Sequence, residues 1–267
     1  MSTASNDPTQ LTRLHHREEV MGTVVTFDVY NERGISPEEF LPFLQEAVAV
    51  LHHADKVFST WKSNSPISRL RRGEISLGEA PPEVADVLEL CATAKSQTNG
   101  WFDPWAMPGG VDPTGFVKGW SAQLSLACLV NAPISGAIIN AAGDIASFGT
   151  LDDATPFRVG ITDPLAPPAL NCAIELRGAV ATSGIYERGQ HLVNPFTGEA
   201  SARAASASVT GEDLGTCDAW ATALAVGGEE VLGLIERASG YEALMIGADG
   251  LRQWTSKFPL IGLEAPK

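Results

Sequence analysis

The chain has 267 residues, enough for one large domain or two small ones that bury a core without disulfide or metal staples. Its 18 Lys and Arg against 32 Asp and Glu give a net charge of −14, a field that repels phosphate backbones and anionic lipid, so neither nucleic acid nor membrane is an expected partner. With 44% hydrophobic and 19% charged residues it is not a disordered chain, and no run reaches the ~18 apolar residues of a spanning helix.

Residues 1–19 lack the apolar core of a signal peptide and read as a disordered polar lead-in, with order beginning near Val20 and cytoplasm as the expected location. Met21 to Tyr30 is rich in β-branched residues and predicts a first strand, closed by the turn-prone Asn31-Glu32-Arg33-Gly34. Ser36-Pro37-Glu38-Glu39 combines a capping serine, a first-turn proline and a box glutamate, so a helix follows, burying Phe40, Leu44, Ala47, Val48 and Leu51. Phe58 to Leu70 is polar and turn-rich, a loop suited to lining a cleft. A second helix is expected over about Pro82 to Ser96, and the Gly-, Pro- and Asp-rich stretch from Gly100 to Gly119 is longer than a plain connector needs.

Beyond it the patterns predict a short helix over Lys118 to Leu129, a strand at Gly136 to Ala141 and a turn at Ala142-Gly143-Asp144. Strands are expected at Phe157 to Thr162, Cys172 to Arg177, Ala179 to Thr182 and Ala205 to Thr210. Helices at Thr216 to Val226 and Glu229 to Ser239 and a last strand at Glu242 to Gly247 complete the chain. Strands and helices are grouped rather than alternating, which makes the class α+β with an antiparallel sheet. Cys91, Cys128, Cys172 and Cys217 form no close pair and read as reduced, mostly buried thiols.

Three clusters could carry chemistry. Asp218 and Thr222, four residues apart on a helix, present two oxygens on one face that a hard cation could bridge, although an Asp near a helix start also serves the macrodipole. In Asp112-Pro113-Thr114-Gly115-Phe116-Val117-Lys118-Gly119-Trp120, glycine permits close backbone approach and Lys118 offers a point charge to an anion; the spacing is not that of a Walker loop, and a bland turn before a helix is the alternative. His191 stands apart from the pairs His15-His16 and His52-His53, which read as solvated or capping residues, and is flanked by Thr182-Ser183-Gly184 and Asn194-Pro195. No Ser-His-Asp or Cys-His ordering surrounds it, so a structural histidine stays open. The tryptophans are core or interface by default, but Trp61 and Trp101 fall on the two long loops, where either could stack on an isoalloxazine or adenine ring.

Taken in order, the blocks MGTVVTF, FSTWKSNSPISRL, NGWFDP with DPTGFVKGW, NAAGDIASFG, and TSGIYERG-QHLVNPFTG with SVTG and CDAWATALAVGG resemble the ApbE-type FAD:protein FMN transferases, from about Met21 to Gly228. The resemblance implies an α+β fold over 20–267, with antiparallel sheets, packed helices and an FAD cleft between two parts of one chain. It implies Mg²⁺ on Asp218, Thr222 and the Gly115 main chain, and FAD contacts at Met21, Trp61, Trp101, Phe102, Asp103, Asp112, Lys118 and Val193. His191 matches the family's proposed general base. The implied reaction is Mg²⁺-dependent transfer of FMN from FAD to a Ser or Thr hydroxyl of an acceptor redox protein, releasing AMP. Mg²⁺-dependent FAD hydrolysis to FMN and AMP, and FAD binding without turnover, are the competing readings. The chain departs from the pattern at Asn194, where the family has aspartate, at Ala142, where it commonly has glycine, and at Trp101 and Trp120, which are bulkier than usual.

Overall fold

The computed structural model describes residues 12–31, 35–152, 154–184 and 192–261. The strands are β1 (Thr12–Val20), β2 (Thr23–Asn31), β3 (Gly136–Ala141), β4 (Asp144–Gly149), β5 (Phe157–Thr162), β6 (Leu170–Leu176), β7 (Ala179–Gly184), β8 (Ser206–Gly211), β9 (Glu242–Ile246), β10 (Arg252–Trp254) and β11 (Leu260–Ile261). The helices are α1 (Pro37–Phe58), α2 (Pro66–Arg71), α3 (Pro82–Gln97), α4 (Thr114–Ala127), α5 (Leu214–Gly227) and α6 (Glu229–Ile235). Eight strands form an antiparallel sheet in the order β1-β2-β3-β4-β7-β8-β9-β10, and β11-β6-β5 form a second. Sheets and helices come in groups, as the α+β expectation required.

Alternation along the strands sends successive side chains to opposite faces of the large sheet. Ala137 and Ile139 of β3 join the main core with α1, α3, α4 and α5, while the neighbouring Ile138 packs with Phe157, Ile174 and Val180 in a second core beneath the small sheet. Helix α5 lies at the centre of the main core and is buried on nearly every side, so it has an apolar sequence with little amphipathicity. It crosses α4 closely at Gly119, where a Cβ atom would stand 2.5 Å from the Leu214 carbonyl oxygen.

Several boundaries differ from the sequence reading for identifiable reasons. A strand already spans Thr12–Val20, ahead of the start expected near Val20, because this segment pairs along its whole length with β2. As an edge strand β1 needs no apolar face on both sides, and polar contacts hold it: Arg13 and His15 reach Asp28 across the strand pair, and Glu18 meets His16 of the same strand and His52 of α1. A short helix, α2, interrupts the expected 58–70 loop, capped by Ser65 accepting the Ser68 N–H at 3.1 Å. Helix α4 starts at Thr114 rather than Lys118, its first turn fixed by Asp112 Oδ1, which accepts the Thr114 N–H at 3.0 Å. Strand β4 follows the expected turn directly, and β10 and β11 lie beyond the strand read as the last.

All four cysteines are free thiols, three of them buried. Among the described residues no helix is long and apolar enough to cross a membrane.

Candidate functional site

Because α4 starts at Thr114, it sets Gly115 and Lys118 one turn apart on the same side of the helix. Helix α5 does the same for Asp218 and Thr222, and the Gly119 crossing brings the two helices together. A Cβ built on Gly115 would lie 3.8 Å from Thr222 Oγ1 and 3.4 Å from the Phe102 ring, so this glycine backbone faces the threonine hydroxyl directly. Thr222 Oγ1 also meets Ser183 Oγ of β7 at 3.3 Å.

Two tight hairpins approach the same place. Met21 and Gly22 join β1 to β2, and Ala142 and Gly143 join β3 to β4, with all four residues in the left-handed region that such two-residue turns demand. Ser121 Oγ, 3.5 Å from Met21 Sδ, ties the first hairpin to α4. The second delivers Asp144, whose carboxylate ion-pairs with Lys118; the Lys118 ammonium is also 3.7 Å from Asp218 Oδ2. Asp144 and Asp218 are both buried, and Thr182 donates its N–H to Asp144 Oδ1 at 3.2 Å.

Loops close the remaining sides. Arg71 donates to Asp112 Oδ2 at 2.9 Å and to the Pro108 carbonyl at 2.8 Å, pinning the stretch before α4. Lys95 pairs with Asp103 at 2.7 Å. Trp101 is 7% exposed: Phe196 packs edge-on at 4.9 Å, Arg203 lies over the ring at 5.5 Å, and its indole N–H reaches Glu230 at 3.3 Å. Trp61 is 96% exposed at the rim.

These elements enclose a cavity of about 500 Å³. It is lined by Met21, Trp61, Trp101, Phe102, Asp103, Asp112, Gly115, Lys118, Val193, Asp218 and Thr222, so the structure brings these sequence-selected residues to one place. His191 lies outside the described residues, although its neighbours Leu192 and Val193 line the wall. Sequence reasoning passed over Asp144 as a turn residue and Ser183 as a flanking residue. The Ala142-Gly143 turn, with Ala146 and Phe148 at alternate positions after it, was a weak signal for the hairpin that aims Asp144.

A sequence profile described as "ApbE family" matches residues 21–109 and 106–245, a span that contains every cavity residue named above. The chain is 29% identical over 203 residues to the FAD:protein FMN transferase of Rhodobacter capsulatus, a match covering 72% of this chain and 36% of that protein, so the chain spans about a third of this relative's length. Among solved structures, the flavin transferase ApbE of Vibrio cholerae superimposes with a TM-score of 0.81 at 20% identity, covering 93% of this chain and 99% of the other. The apo flavinyl transferase ApbE of Pseudomonas stutzeri does so with a TM-score of 0.78 at 21% identity, covering 96% and 100%. On the extent of the profile match, supported by the shared fold, the chain belongs to the ApbE family.

Proposed function

We propose that this protein transfers FMN from FAD to a Ser or Thr hydroxyl of an acceptor redox protein, in a Mg²⁺-dependent reaction that releases AMP. The observation that carries this reading is the convergence of a carboxylate, a hydroxyl and an open glycine backbone, from Asp218, Thr222 and Gly115, beside the Lys118 ammonium in one cavity. The name of the Rhodobacter capsulatus relative agrees with it. The cavity volume, about 500 Å³, lies in the range of small-molecule sites.

The donor chemistry suits Mg²⁺. All three donors are hard oxygens, and among the described residues no group of three or more His, Cys, Asp or Glu side chains could hold a softer metal. Bound there, Mg²⁺ would supply positive charge to the FAD diphosphate and to the AMP leaving group. Lys118 adds a fixed cation on the same side, held in place by its pairing with Asp144. That matters in a chain of net charge −14, whose overall field opposes an anionic substrate.

Trp61 offers an uncovered ring for stacking on a flavin or adenine, whereas Trp101, already faced by Phe196 and Arg203, serves as a rigid wall. His191 is assigned the proton of the attacking hydroxyl. Because phosphoryl transfer depends on positioning and electrostatics, no enzyme nucleophile is required.

Incubation with FAD, Mg²⁺ and a flavin-carrying redox subunit tests the proposal. Flavin fluorescence on the acceptor band with matching AMP is the expected result. Free FMN and AMP with an unlabelled acceptor would identify a hydrolase, and FAD binding without AMP would identify a binding module.

A further inference from the structure

In the scheme above Asp144 serves only as the partner of Lys118, yet its own position is strongly determined. It opens β4 opposite Ala141, directly after the turn in which Ala142 is held at φ 52° and Gly143 at φ 91°. Asn140 Oδ1 accepts the Gly143 N–H at 2.8 Å and locks that turn. The Asp144 side chain is 0% exposed, with Oδ1 on the Thr182 N–H and Oδ2 paired to the Lys118 ammonium. A carboxylate so fully removed from water keeps its charge only through such partners. The same ammonium is 3.7 Å from Asp218 Oδ2, so two carboxylates on different elements share it, and Asp144 holds it the more closely.

We propose that Asp144 is a positioning residue that restrains the Lys118 ammonium from closing further on Asp218, so that the ammonium competes less with a divalent cation for the Asp218 carboxylate. The proposal rests on the reading of Asp218 as a cation ligand. Lys118 is a point charge on a flexible stem, and the nearer carboxylate decides where it rests. With Asp144 neutral, Asp218 becomes the carboxylate that draws the ammonium in. Ammonium and divalent cation then compete for the same oxygens, and like charges at that range repel strongly in a buried site.

The test is calorimetric titration of the full chain with Mg²⁺ alone, on wild type, Asp144→Asn and the double variant Lys118→Met/Asp144→Asn. Asp144→Asn is expected to weaken Mg²⁺ binding by about tenfold or more, the scale on which outer partners of metal ligands act. The double variant, which removes the competing ammonium, is expected to return to within about threefold of wild type, a coupling that independent sites would not show. A purely structural role for Asp144 predicts no such rescue. Unchanged affinity in Asp144→Asn overturns the proposal, and so does a double variant as weak as the single, since Asp144 would then act on the cation itself. Should Asp144→Asn fail to fold, the double variant decides alone, because it removes both members of the buried Lys118–Asp144 pair together: wild-type affinity supports the proposal and a tenfold loss overturns it. Absence of Mg²⁺ binding by wild type would overturn the cation reading of Asp218 first, and the Asp144 role with it.

Discussion

Deep in the cavity Lys118 lines the wall from α4 and Asp218 from α5, and Asp144, at the first position of β4, pairs with Lys118. At its rim, Trp61 stands on a loop and touches water over nearly its whole surface. The floor is set by the fold, because helix crossing at Gly119 and the strained hairpin at Ala142 fix where the charges lie before any ligand arrives. The rim contributes little to folding, so the apolar surface of Trp61 is free to act on whatever enters. Trp101 marks the boundary between the two, lining the same cavity while serving the core.

The largest effect expected at the floor is that of Asp218→Ala, which should lower AMP release from FAD on the order of 100-fold or more, as removal of a preorganised charge contact does. Chromatographic detection of AMP checks it, and release at the wild-type rate would remove Asp218 from the chemistry.

The two tryptophans sharpen the contrast. Trp101→Ala is expected to cost about 3 kcal/mol of stability, as for other buried aromatics. Trp61→Ala should leave the unfolding free energy within about 0.5 kcal/mol of wild type while weakening FAD binding by about tenfold, the worth of one stacked ring. Equal destabilisation by both variants would dissolve the distinction between wall and open face.

Thiol labelling gives a smaller readout of the same contrast between buried and open surface. Burial pushes the Cys91 thiol up to about 12 and raises those of Cys172 and Cys217; partial burial and Glu46 raise Cys128 too, but it alone of the four reaches the surface. Native protein at pH 8 should therefore react with one equivalent of a thiol reagent, at Cys128. Rapid reaction of a second cysteine before unfolding would contradict the packing of the core.

The smallest effect belongs to the edge strand. A hydrogen bond from His52, aided by His16, holds the Glu18 carboxyl below its ordinary 4.5. Its stabilising contribution is complete above the unfolded value and is lost as pH falls through the lower folded value. Glu18→Gln should cost about 0.5 kcal/mol near neutral pH, with the difference from wild type vanishing in acid. A difference that persists in acid would point to packing instead of charge.

Much of the site was legible because it depends on local spacing. The capping box at Ser36 and Glu39 announced α1, and the four-residue interval of Asp218 and Thr222 placed two oxygens on one helical face. The family resemblance supplied what spacing does not, namely which distant loops meet. The misreadings share a physical cause. β1 is mostly polar and holds its place by Arg13 pairing with Asp28 across the strands and Glu18 meeting His52 of α1, which periodicity does not register. β4 opens on Asp144 and carries Ala146, Ser147 and Gly149, residues with little strand preference, so the turn was recognised and the strand was not. The role of Asp144 depends on a lysine 26 positions earlier and on Thr182 of another strand, a tertiary fact with no local signal.

The central claim is that a divalent cation bound by Asp218, Thr222 and Gly115 meets the diphosphate of FAD. Binding of the two ligands must then be coupled, and the coupling must be reciprocal. Calorimetric titration of FAD into wild type and Asp218→Ala, with and without Mg²⁺, measures this directly. The account predicts that Mg²⁺ tightens FAD binding about tenfold or more in wild type, within the usual range of coupling energies, and has no effect in Asp218→Ala. The same FAD affinity in wild type with and without Mg²⁺ would contradict it.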